Sequence, residues 1–179
     1  MKVKSIAALA LLAGLAWAAS PRFRLVSKQL RSYTAARNFP GLSAKLEVDR
    51  AANRITASAP GEYQVTARAG PSSDMMSFEI AGMKNPEIRI PQGTQLTLTV
   101  INVDDDMAHN LALTTAAPPY PKLIAAPSIA SPTLKSHEGQ AWSAAILTFR
   151  ATGVGPAYYL CTVPGHAKAG MFGKITVLP

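Results

Sequence analysis

The 179-residue sequence has one cysteine, Cys161, so no disulfide can form within the chain and the fold must stand on its core. Histidine is nearly as scarce, with only His109, His137 and His166. Charge is thin: 16% of residues are charged against 48% apolar, a balance that excludes a disordered chain. Acidic residues number ten against eighteen basic ones, which invites a nucleic-acid reading. The basic residues lack aromatic interleaving and any nucleic-acid motif, so that class is set aside. No internal repeat is present. The length suits one domain with a short appendage.

What is there begins with "MKVK", a basic start, then "SIAALALLAGLAWA", which is apolar and uncharged. Ala16 to Ala18 has the small-x-small form of a cleavage site. Residues 1–18 therefore read as an export signal, and the protein as periplasmic. The alternative is an uncleaved anchor, because Ser5 to Pro21 is at the lower edge of what spans a bilayer. Loss of residues 1–18 removes Lys2 and Lys4, and the net charge falls from +8 to +6. The basic residues Arg22, Arg24, Lys28, Arg31 and Arg37 follow directly. They suit an acidic partner or an anionic membrane surface, contacted through residues 1–39.

Residues 22–39, "RFRLVSKQLRSYTAARNF", carry apolar side chains at Phe23, Val26, Leu30 and Tyr33. This spacing predicts a helix ended by Pro40–Gly41. Residues 19–44 are expected as a basic, partly helical extension. From Lys45 the period changes to two. "KLEVD", "RITAS", "EYQVTARA", "MSFEI", "PEIRI" and "QLTLTVIN" alternate, and Gly, Pro and Asn separate them. "HNLALTT", "WSAAILTF", "AYYL" and "GKITVL" follow. Residues 45–179 thus read as one all-β sandwich or barrel domain. The proline-rich stretch 116–132 reads as an ordered loop or edge excursion framing a site.

The chemistry concentrates in "YYLCTVPGHAKAGMFGKITV", residues 158–177. Cys161, His166 and Met171 stand at C-x4-H-x4-M spacing. A thiolate, an imidazole and a thioether in one loop suit copper cycling between Cu(I) and Cu(II). Two histidines and a cysteine with a weak axial methionine make an electron-transfer site of the blue-copper kind. His109 is the better source of the missing histidine, because it sits where one strand ends and another begins. His137 lies in a polar turn and reads as a solvated surface residue.

The segment 158–177 strongly resembles the copper loop of the rusticyanins, type 1 blue-copper cupredoxins. "MSFEIAGMKNPEIRIPQGTQLTLTVINVDDDMAHNLAL" resembles the same family's strand leading to its first histidine ligand, and Pro118 to Tyr120 fit its proline-rich loop. The resemblance spans roughly residues 70–179. It implies an eight-stranded-type Greek-key β-sandwich, one copper per chain and no enzymatic turnover. It makes His109, Cys161, His166 and Met171 the ligands. It suggests a respiratory chain of an iron-oxidising acidophile, with c-type cytochromes or a terminal oxidase such as cytochrome c oxidase as partners. The acidic loop before His109 departs from the family, and Asp104, Asp105 and Asp106 are expected as solvated turn residues pointing away. Asn110, as in other cupredoxins, is expected to tie the His109 strand to the Cys161 loop. Pro164 and Phe172 are expected beside the metal. With Pro118, Pro119 and Tyr120 they would lower the local dielectric, raise the potential and offer a flat apolar docking patch.

Two other classes fit the residues less well. Cys161 with His166 as nucleophile and base would leave Met171 and His109 without roles and lacks a visible orienting group. Copper storage or delivery wants exposed, exchangeable ligands, and Met75, Met76, Met83 and Met107 are dispersed among strand-like residues instead. Copper oxidases and nitrite reductases need more than three histidines, and a dinuclear copper site needs a second cysteine.

Overall fold

The structure is a computed structural model that describes residues 22–125 and 127–179; the expected export signal lies outside the described residues. Thirteen strands are described. They are β1 (Phe23–Tyr33), β2 (Leu46–Asp49), β3 (Arg54–Ala57), β4 (Glu62–Ala69), β5 (Phe78–Ile80), β6 (Met83–Lys84) and β7 (Glu87–Pro91). Then come β8 (Gln95–Asn102), β9 (Ala112–Thr114), β10 (Ile129–Ala130), β11 (Trp142–Ala151), β12 (Gly155–Leu160) and β13 (Phe172–Leu178). They form a six-stranded sheet in the order β1-β11-β8-β4-β5-β6 and a seven-stranded sheet in the order β10-β9-β12-β13-β7-β3-β2. Most neighbours run antiparallel, but β4–β8, β3–β7 and β7–β13 are parallel. This is the all-β architecture that the alternating pattern predicts.

Alternation explains the layers. In β4, Tyr63, Val65, Ala67 and Ala69 point inward while the residues between them face out. In β13, Ile175 and Val177 do the same. The inward residues of both sheets meet in one core that includes Val65, Phe78, Ile88, Leu98, Leu147, Phe149 and Tyr159. Each fully buried aliphatic or aromatic side chain contributes about 1.5–3 kcal/mol. Tyr159 is wholly buried and its hydroxyl donates to the Pro86 carbonyl at 2.7 Å. Its ring lies against Gly173, where an added Cβ would approach to 2.2 Å. Only glycine leaves room for that ring.

The expected N-terminal helix is not formed. Residues 23–33 are strand β1, paired antiparallel with β11 from Phe23↔Ala151 to Tyr33↔Trp142, with a bulge between Leu25 and Ser27. Among the described residues helical geometry is confined to a single 3-10 turn, Ala36–Asn38. The physical reason is the open edge of β11, whose backbone groups need partners. That tertiary demand overrides a short helical periodicity. Only Phe23 of β1 is buried, stacked edge-on against Phe149 with ring centroids 5.0 Å apart.

The proline-rich stretch is an edge excursion, as expected. It contributes β10 at the end of the seven-stranded sheet, and Gly165 donates to the Lys122 carbonyl at 2.8 Å. That bond joins the stretch to the loop between β12 and β13, which carries Cys161, His166 and Met171.

Candidate metal centre

His109 lies between β8 and β9 and is fixed by paired backbone bonds with Leu134: its N–H donates to the Leu134 carbonyl at 3.1 Å, and the Leu134 N–H donates back at 2.7 Å. Cys161 follows β12 directly. The loop after it closes on itself. Cys161 N–H donates to the Met171 carbonyl at 3.1 Å, and Met171 N–H donates to the His166 carbonyl at 3.0 Å. Asn85 anchors the loop from outside, its amide donating to the Gly170 carbonyl at 3.0 Å.

Cys161 Sγ lies 3.5 Å from His166 Nδ1 and 4.0 Å from His109 Nδ1, and the two Nδ1 atoms are 3.1 Å apart. All three side chains are buried, and their donor atoms lie within 4.8 Å of one another. Met171 is fully buried in the same core cluster as Cys161. His137 does not join them. It is half-buried rather than solvated, stacked on Trp142 with ring centroids 4.3 Å apart.

Asn110 reaches across to the Cys161 loop. Its Nδ2 donates to Thr162 Oγ1 at 2.6 Å, and Thr162 N–H donates to its Oδ1 at 2.7 Å. Pro164 is exposed on the loop, and Phe172 is partly buried with its ring 5.2 Å from that of Tyr120. Tyr120 and Phe172 pack with Ala112, Leu160 and Ala167 in a second apolar cluster beside the loop. Around it Lys122, Leu123 and Lys168 are exposed, Leu123 to 71%.

The acidic run departs from its expected place in one residue. Asp105 and Asp106 are exposed, but Asp104 is buried at 1% exposure. Its Oδ2 lies 3.0 Å from His109 Nε2, and its Oδ1 accepts the backbone N–H groups of Asp106 and Met107 at 2.8 and 2.9 Å. The reason is local: the carboxylate closes its own turn by accepting the amides two and three residues on, which aims it inward. The signal in the sequence is a carboxylate five residues before a candidate histidine ligand, weak on its own. Asn102 is a second residue the sequence reading passed over. Its Nδ2 serves the carbonyls of Met107, Leu134 and Lys135 and so pins the His109 loop to the 134–135 segment.

Burial sets the electrostatics. It pushes the Cys161 thiol up, against the backbone N–H groups of Asn110 and Val163, which favour the thiolate. It pulls His109 down, with Asp104 opposing, and pulls His166 down, with His109 adding to the effect. Two neutral imidazoles and a buried thiol, all converging, fit a cation that is soft enough for sulfur and strong enough to displace the thiol proton. Copper meets that description.

Residues 61–178 match the model of the copper binding proteins, plastocyanin/azurin family. Rusticyanin of Acidithiobacillus ferrooxidans is 34% identical over 146 residues, which cover 77% of this chain and 76% of that protein. Auracyanin-B of Chloroflexus aurantiacus is 29% identical over 153 residues, 82% of this chain and 60% of that protein. A solved rusticyanin from Thiobacillus ferrooxidans superposes with a TM-score of 0.72 at 28% identity, covering 85% of this chain and 99% of that one. With the His–Cys–His cluster in place, the chain belongs to the plastocyanin/azurin family of copper-binding, electron-transfer proteins, as a rusticyanin-like blue-copper cupredoxin.

Proposed function

We propose that this chain carries single electrons in a periplasmic respiratory chain, between redox proteins such as c-type cytochromes and a terminal oxidase, without catalysing a reaction of its own. The observation that carries this reading is the buried convergence of His109 Nδ1, Cys161 Sγ and His166 Nδ1. His109, Cys161 and His166 would hold one copper, with Met171 as the weak fourth ligand. The metal supplies a one-electron couple, Cu(II)/Cu(I).

The protein's part is to hold the donors still. The His109–Leu134 bridge fixes the His109 segment, and the Asn110–Thr162 pair clamps it to the Cys161 loop, so the site rearranges little between oxidation states. Tyr120, Phe172 and Ala167 keep water from one side. Leu123 and Pro164 offer apolar contact, and Lys122 and Lys168 stand at its rim. Such a surface suits brief docking to a partner with acidic residues around its own redox edge. Buried ligands do not suit copper delivery, which needs an exchangeable site. The apolar start of the chain supports export to the periplasm. The exposed basic residues Arg24, Lys28 and Arg31 of β1 support contact with the inner membrane through residues 1–39.

Titration of the apoprotein with Cu(II), followed by visible absorption and electron paramagnetic resonance, tests the reading. One equivalent should produce an intense thiolate-to-copper band that a reductant bleaches reversibly. Cys161→Ser should lose it. A surface-bound copper spectrum unaffected by Cys161→Ser would overturn the proposal.

A further inference from the structure

Among the described residues Asp104 is the only buried carboxylate, and it stands against the far nitrogen of a candidate copper ligand. Its two oxygens have separate tasks. Oδ1 is engaged by two backbone N–H groups, and Oδ2 is left to face His109 Nε2 at 3.0 Å. The Asp104 N–H in turn donates to Asn102 Oδ1 at 3.1 Å, which fixes the backbone beneath it.

The packing around the pair is specific to it. Gly70 sits at φ +68°, and a Cβ there would lie 2.5 Å from His109 Nε2 and 2.7 Å from Asp104 Oδ2. A glycine in the left-handed region thus leaves the space that the imidazole and carboxylate occupy.

A carboxylate and an amide are not equivalent here. An ionised carboxylate only accepts, so it requires an N–H at His109 Nε2 and leaves the Nδ1 lone pair facing Cys161 and His166. An asparagine could present either its oxygen or its NH2 and would fix no tautomer. The charge also counts. A thiolate and two neutral imidazoles leave one net positive charge with Cu(II) and none with Cu(I). A buried carboxylate nearby neutralises the first and leaves the second negative, so it favours the oxidised state.

We propose that Asp104 is a positioning residue that sets the His109 tautomer and, by its buried negative charge, lowers the reduction potential of this site. The inference rests on the copper reading above. It opposes the apolar surround of Phe172 and Tyr120, which acts the other way.

The test combines Asp104→Asn, the exposed-site control Asp106→Asn, and nitrogen-15 NMR of the wild-type apoprotein. In copper-loaded protein, Asp104→Asn should shift the equilibrium toward Cu(I) roughly tenfold, about +59 mV for one electron, with the absorption band retained. Asp106→Asn should move it far less. The wild-type apoprotein should show His109 protonated at Nε2. An unchanged or lower potential in Asp104→Asn, an equal rise in both variants, or an Nδ1–H tautomer in the wild type would each overturn the proposal. The NMR arm needs no variant to fold and no copper to bind. If wild type shows no charge-transfer band, the copper reading fails while the tautomer is still measured.

Discussion

Asn110 makes two hydrogen bonds to Thr162, both short, and both join the His109 segment to the Cys161 loop across 52 residues of sequence. Asn110→Ala removes them and leaves the Thr162 N–H without its partner. A loss of about 2 kcal/mol is expected, measured as the urea midpoint of the apoprotein, where metal linkage does not intrude. The cysteine, histidine and methionine of the loop were legible in the sequence because they are close together and chemically unusual together. His109 was legible because a strand end is a fixed position. Asp104 was not. Three aspartates in a row read alike, and only one turns inward. Its own turn amides aim it inward, and two further residues complete the fit: Gly70 leaves the space at β4's far end, and Asn102 fixes the backbone of the turn.

Strand β1 shows what periodicity alone cannot decide. Its apolar residues at 23, 26, 30 and 33 fit one helical face, yet the chain lies extended along β11. The bulge at Leu25/Ser27 breaks the alternation that would have marked a strand. In a pairing of this kind the backbone bonds do most of the holding, and few side chains enter the core. Phe23 is the exception, at 6% exposure. Phe23→Ala should therefore cost the apoprotein about 3 kcal/mol, toward the low end for a core phenylalanine because it sits at the rim. Arg24→Ala, one residue on and exposed, should change stability by no more than about 0.5 kcal/mol. Chemical denaturation of the two variants side by side reads the contrast. The other strands were legible because alternation and turn residues agree, as in β4 and the PQG turn before β8.

At the scale of the molecule, the seven-stranded sheet depends on two adjacent parallel pairings, β3–β7 and β7–β13, which bring together segments far apart in sequence. Glu87 at the start of β7 bridges all three strands. Its Oε2 meets Arg54 of β3 at 3.2 Å, and its Oε1 accepts from the Thr176 hydroxyl at 2.6 Å and faces Lys174 of β13 at 3.4 Å. Burial alone would raise its pKa, but Thr176, Lys174 and Arg54 outweigh that and hold it below the ordinary value of 4.5. The unfolded chain binds a proton at Glu87 more readily than the folded one. The stabilisation is thus fully present above 4.5 and is lost as pH falls through the lower folded value. Glu87→Gln removes the charge at every pH. It should destabilise the apoprotein by about 1–2 kcal/mol at pH 7, the scale of hydrogen bonds to a charged group. The gap between wild type and variant should be smaller at pH 3 than at pH 7, because below 4.5 the unfolded chain takes up its proton at Glu87 and the stabilisation shrinks. Denaturant midpoints at the two pH values measure this. A gap that persists undiminished in acid would mean that Glu87 holds the strands by shape rather than by charge. With only ten acidic residues in the chain, few other carboxylates can contribute to the acid slope, so the narrowing should be visible above the background.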